Sequence, residues 1–198
     1  MDINAEMVKN LRQETGCGFM EGKKALEEAK GDTVLATELL RKRGLKTAAL
    51  KSGRAANEGL VYAYIHHGSK VGVLVEVNCE TDFVARTAEF QQLVKDISMH
   101  IAAANPRYLR REDIPEELVK KEEEIYRTQL KDAGKPDNVI DKIIPGKLEK
   151  GFYAQQCLLE QPYIKDDTVT VGTMIQSAIG KLKENICVRR FTRYQLSA

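Results

Sequence analysis

Thiols and imidazoles are the side chains best suited to attack a substrate, move protons or hold a metal. This chain has four cysteines, Cys17, Cys79, Cys157 and Cys187, and three histidines. The cysteines are scattered, and no two form a C-x-x-C pair. They therefore lack both the clustered spacing of a zinc site and the look of a disulfide framework. They read as idle thiols of a reducing cytoplasm. His66-His67 falls in a turn, where imidazoles face solvent. Cys79 is a candidate nucleophile in the stretch VEVNCETDFVAR, Val75 to Arg86, but no histidine can be assigned as its partner. Phosphate-loop, nucleophile-elbow and zinc-helix motifs are all missing. What remains is contact chemistry. Thr81, Asp82, Phe83 and Val84 place a carboxylate beside an aromatic ring where the chain is about to change structure. Phe83 suits neither neighbouring pattern. It either plugs the local core or projects into another molecule.

The bulk composition narrows the classes. The chain has 198 residues, 42% of them hydrophobic and 30% charged, close to the globular norm. Its 31 basic and 29 acidic residues give a formal net charge of +2, which argues against a dedicated nucleic-acid binder. No apolar run approaches a membrane span, and Met1 is followed by no apolar signal region. The expectation is a cytoplasmic protein with no cofactor and no metal.

The front of the chain, residues 1–44, predicts three short helices forming a docking module. Asn4 is a suitable N-cap, and Ile3 and Val8 have the spacing of a hydrophobic staple. Gly16 and Gly18 allow a tight reversal. A second helix covers about Phe19 to Lys30. Asp32 caps a third, with Leu35, Ala36, Leu39 and Leu40 inward and Gly44 as its end. Residues 45–56 read as a helical linker. Between Leu39 and Asn57 lie six basic residues and no acidic ones. They form either a solvated helix end or a contact for an acidic surface.

Residues 57–198 predict an α+β domain. Leu60 to His66 and Lys70 to Cys79 form a hairpin, the second strand showing Val71, Val73, Val75, Val77 and Cys79 at period two. Thr87 caps a helix running to about Ala104. Further helices surround Glu116, Val139–Leu148 (kinked or divided at Pro145-Gly146) and Val171–Leu182. A closing strand spans about Asn185 to Leu196. The result is a three-stranded antiparallel sheet packed with helices. Leu60, Tyr62, Tyr64 and Leu74 are expected on the face opposite the valines, leaving an apolar surface for a twofold copy.

Four motifs in order give the chain a family resemblance. They are Val8-Lys9-Asn10-Leu11-Arg12 with Thr15-Gly16-Cys17-Gly18-Phe19-Met20, then Glu76 to Ala85 (EVNCETDFVA), Cys157 to Pro162 (CLLEQP), and Glu184-Asn185-Ile186 with Arg189-Arg190-Phe191. The chain resembles the elongation factor Ts family over nearly its whole length. Lys183 stands where members often have glycine, and Pro145 lies in a stretch that is usually helical.

The resemblance implies a ubiquitin-associated-like helical bundle followed by a core of the short, single-repeat form, which associates as a homodimer. It implies a guanine-nucleotide exchange factor for elongation factor Tu, binding both its GDP-bound and nucleotide-free states, with no catalytic residue of its own. Thr81, Asp82, Phe83 and Val84 would disturb the partner's magnesium and phosphate site. Val8, Leu11, Arg12, Thr15, Gly16 and Met20 would belong to a second contact region. The residues alone leave open a three-helix adaptor or an RNA-associated protein using the basic stretch.

Overall fold

A computed structural model of the protein describes residues 3–196; Met1, Asp2, Ser197 and Ala198, which the end-to-end ranges above include, lie outside the described residues. The expected α+β architecture is present. Three helices, α1 (Ala5–Thr15), α2 (Phe19–Glu28) and α3 (Thr33–Lys51), precede the strands β1 (Glu58–Ile65) and β2 (Val71–Cys79). A short α4 (Asp82–Ala85) and the long α5 (Ala88–Ala104) follow. Then come α6 (Glu116–Asp132), α7 (Asp137–Lys147), a wide turn of π-helix over Leu148–Tyr153, and α8 (Ala154–Gln156). Strands β3 (Pro162–Tyr163) and β4 (Asp166–Thr170), helix α9 (Val171–Leu182) and strand β5 (Ile186–Gln195) complete the chain.

The main sheet has the order β1-β2-β5. Leu196 N–H donates to Lys70 O at 2.9 Å, so the end of β5 lies beside the start of β2, as antiparallel pairing requires. By internal contacts the chain divides into two compact units. The first holds the chain up to Leu60 with Val77–Leu93 and Ile175–Cys187. The second holds Val61–Glu76, Val94–Met174 and the chain from Val188 onward.

In the first unit, local capping sets the helices. Asn4 Oδ1 accepts from Met7 N–H at 2.8 Å, and Asp32 Oδ1 accepts from Leu35 N–H at 3.0 Å. Gly16 closes α1 in the left-handed region, with φ of 68°. Val8, Leu11, Ala25, Leu26, Ala29, Ala36 and Leu40 form the bundle core, with Ile3 packed on it. Two expectations are corrected here. Leu35 is exposed and is not part of that core. And α3 does not stop at Gly44 but runs on to Lys51. Gly44 serves close approach: a Cβ on Gly180 of α9 would sit 2.8 Å from the Gly44 Cα.

In the second unit, Val94, Ile97 and Ile101 of α5 and Val73 and Val75 of β2 are buried. Leu130, Ile140, Ile144 and Leu148 form a separate cluster around α6 and α7. Pro145 does not divide α7; the helix continues to Lys147 and then widens into the π-turn. The hairpin corrects the assignment of the sheet faces. His66 N–H donates to Val71 O at 2.9 Å, and a Cβ on Gly72 would lie 3.1 Å from Ile65 Cδ1, so Ile65 faces Gly72. This register places Tyr62 and Tyr64, half-buried, on the side of the valine row, and Leu60 shares their parity. The open apolar face instead carries Val61, Ile65 and Leu74, which are 66%, 62% and 49% exposed. Each strand's alternation was readable, but the phase between them is set by the turn.

Candidate functional site

The corner after β2 is built by two threonines. Thr81 is extended, with φ of −131°, and its Oγ1 accepts from Val84 N–H at 3.4 Å to start α4. Thr87 Oγ1 donates to Val84 O at 2.8 Å and accepts from Phe90 N–H at 3.2 Å, ending one turn and starting α5. On a helical turn, residues two apart face opposite ways. Ala85 is buried, so Phe83 is turned outward and is 77% exposed. Val84 and Thr81 are half-buried. Asp82 pairs with Arg86 one turn on, at 2.7 Å. Of the two readings left open for Phe83, the plug in the local core is excluded, because the ring stands outside.

The backbone under the ring is fixed from a distance. Glu184 Oε2 accepts from Glu80 N–H at 3.1 Å and from Thr81 N–H at 3.0 Å, and its Oε1 accepts from Thr81 Oγ1–H at 2.6 Å. In return, Asn185 N–H donates to Glu80 Oε1 at 2.6 Å. That bond, with Arg54 at 3.5 Å, holds the Glu80 carboxyl below the usual carboxylate range. Buried Asn185 also donates through Nδ2 to Arg54 O at 2.7 Å. The motif at 184–186 was visible in the sequence, but its distance from the corner hid this role.

Cys79 is fully buried, and its Sγ–H donates to Thr81 O at 3.1 Å. Burial and the nearby Glu184 charge push its thiol up to about 11. At neutral pH it stays protonated, a poor nucleophile and a good corner brace. Among the described residues, no group of three His, Cys, Asp or Glu side chains could hold a metal ion, and no helix is long and apolar enough to cross a membrane.

The N-terminal candidates separate into two kinds. Val8 and Leu11 are each 1% exposed and belong to the bundle core, so they support the module and do not face outward. Arg12, Gly16 and Met20 are exposed, and Phe19 stands exposed beside Met20. Thr15 is half-buried, donating to Leu11 O at 2.7 Å. Arg12 Nε–H donates to Cys17 O at 3.2 Å, tying the reversal to α1. Beside that reversal is a cavity of about 500 Å³, lined in part by Thr15, Gly16, Gly18, Arg41 and Lys181.

This constellation presents an exposed aromatic ring on a hydrogen-bonded corner and an exposed helical reversal, features suited to contact with another molecule. The family model for "Elongation factor TS" matches residues 37–198. The chain belongs to the elongation factor Ts family of translation factors. It is 57% identical over 196 residues to an elongation factor Ts of Fervidobacterium nodosum, covering 99% of both chains. It is 57% identical over 193 residues to that of Caldanaerobacter subterraneus subsp. tengcongensis, covering 98% of this chain and 96% of the relative. It is 55% identical over 194 residues to that of Carboxydothermus hydrogenoformans, covering 98% and 89%.

Proposed function

We propose that this chain is a cytoplasmic guanine-nucleotide exchange factor that binds elongation factor Tu and drives GDP release by wedging Phe83 into its nucleotide domain. The supporting observation is the exposed ring on a corner braced by Glu184, within a family of elongation factors. A magnesium ion bridges nucleotide oxygens and protein ligands, so a displaced loop at that site weakens GDP. Phe83 suits the task because a ring offers large apolar area with few rotatable bonds. The thermodynamics is linkage. A factor that favours the nucleotide-free partner must be weakened by nucleotide in the same ratio, so each ligand displaces the other. No bond is made or broken. Asp82 and Val84 would flank the wedge, and Thr81 would hold it. Residues 1–44 would act as a second docking module through Arg12, Gly16 and Met20, joined to the 57–198 core by residues 45–56.

The direct test is release of labelled GDP from elongation factor Tu. The chain should accelerate it many-fold at sub-stoichiometric concentration. An unaltered rate at saturating chain rejects the reading.

The open sheet face would seat a second copy, Val61, Ile65 and Leu74 meeting their twofold equivalents. Leu74→Lys should shift the sedimentation of the chain from dimer to monomer. Identical sedimentation of both proteins would place any dimer contact elsewhere.

A further inference from the structure

A wedge transmits force only if its base does not yield. Resting on the exchange-factor reading above, we infer that Glu184 is the positioning residue that fixes the direction of Phe83, acting through Thr81, from which it lies 103 positions along the chain.

The geometry begins with Lys183. Its φ of 59° is a left-handed conformation that a side chain rarely adopts. Its N–H caps α9 on Ile179 O at 2.9 Å, and its Nζ pairs with Glu21 at 3.3 Å. This αL residue stops the helix and turns the chain, so that Glu184 comes immediately beneath the corner. Both oxygens of Glu184 are then engaged, one by two backbone N–H groups and the other by the Thr81 hydroxyl. A hydroxyl has one proton and two lone pairs. By donating to Glu184, the Thr81 hydroxyl is oriented to accept from Val84 N–H, which is the cap that starts α4. The carboxylate thus controls the turn carrying Phe83 without touching Phe83 itself.

The return bond from Asn185 N–H to Glu80 fixes angle as well as distance, because the two segments exchange a backbone donor and a carboxylate in each direction. Charge-assisted bonds of this kind are stronger than neutral ones. A merely local cap would need only Thr81.

The test uses two readouts on the full chain. Hydrogen exchange requires no partner. Glu184→Ala should speed exchange at the Glu80, Thr81 and Val84 amides by roughly ten-fold or more, with the central amides of β2 unchanged. Glu184→Gln, which keeps the shape and one accepting oxygen, should give a smaller rise and guards against simple misfolding. Unchanged protection at these amides in both variants overturns the inference.

The second readout is stimulated GDP release. Glu184→Ala should lower the maximal rate roughly ten-fold while the half-saturating concentration changes far less. Glu184→Gln should fall between. Because Glu184 acts through the ring, Phe83→Ala/Glu184→Ala should be no slower than Phe83→Ala alone. Losses that multiply would show that Glu184 acts elsewhere and overturn the inference. Should the unaltered chain fail to stimulate release, the exchange-factor reading falls, and the amide readout still decides whether Glu184 holds the corner.

Discussion

The corner at Thr81–Val84 and the reversal at Thr15–Met20 both carry family motifs, yet they are built in opposite ways. At the corner, the apolar residue of the motif is outside and the polar ones hold it: Phe83 is exposed while Thr81 is bonded to Glu184. In the N-terminal module, the apolar residues Val8 and Leu11 are inside, and the exposed contact candidates are Arg12, Gly16 and Met20. The first exposes an aromatic ring and braces the turn beneath it with hydrogen bonds. The second depends on a small hydrophobic core to keep a surface in shape. A motif residue can therefore serve a contact directly or serve the fold that presents it, and burial separates the two.

The largest effect should come from breaking the second arrangement. Leu11→Ala removes a fully buried side chain from the bundle and should cost about 3 kcal/mol of its stability. In chemical denaturation monitored by segment-resolved amide exchange, α1 to α3 should open first, with the corner still protected. Partner affinity should fall with the folded fraction of the module and recover under stabilising conditions. Weakened affinity with the module fully protected would mean that Leu11 touches the partner after all.

Phe83→Ala should break the first arrangement. The expected loss is about 2 kcal/mol of exchange function, roughly a thirty-fold slower stimulated GDP release. Because the ring is exposed, the unfolding midpoint should hardly move. Met20→Ala, at the other site, should weaken partner affinity by only a few-fold and leave the saturated rate intact. A Phe83→Ala chain with the full rate, or a Met20→Ala chain with a collapsed one, would reverse the roles of the two regions.

Much of this division was legible in the sequence, and for identifiable reasons. Asn4, Asp32 and Thr87 announce helix starts because a cap is a contact three residues long; the Thr81 cap on the short α4 appears only in the structure. The valine row of β2 shows its buried face because alternation is local. Phe83 stood out as a ring in neither pattern. The misplaced or missed features depend on how segments meet, which no single pattern shows. The face of β1 depends on turn register, and the continuation of α3 through Gly44 depends on its approach to Gly180. The β3–β4 pairing is local, but its two-residue first strand is too short for alternation to show. Glu184 was quoted within a motif, but nothing within a few residues of it shows that it holds Thr81. Lys183 is intermediate: the family resemblance marked it as a departure from glycine, and its left-handed φ of 59° is a conformation that favours glycine.

The smallest effect expected is a pH difference between the corner and a second long-range anchor. In the second unit, buried His100 donates from Nε2 to Gln161 Oε1 at 2.9 Å, while its Nδ1 accepts from Ile164 N–H at 3.3 Å. Both ring nitrogens are satisfied only in the neutral tautomer, because protonated Nδ1 would meet the Ile164 N–H as donor against donor. Burial, as the main cause, holds this imidazole below its usual value. The unfolded chain therefore binds the proton more readily. The stability contributed by neutral His100 is complete above about pH 6.5 and is lost as pH falls below it. The corner behaves differently, since the Glu80 carboxyl is lowered and its contribution persists until pH falls below the ordinary carboxylate range. Moving from about pH 7.5 to about pH 5.5 should thus cost at most about 1.4 kcal/mol through His100. With exchange rates corrected for intrinsic pH dependence, the Ile164 amide should lose protection while the Thr81 amide keeps it, and His100→Asn should flatten the pH dependence of unfolding. Equal loss at both amides would show that the corner, too, rests on a group titrating near neutrality.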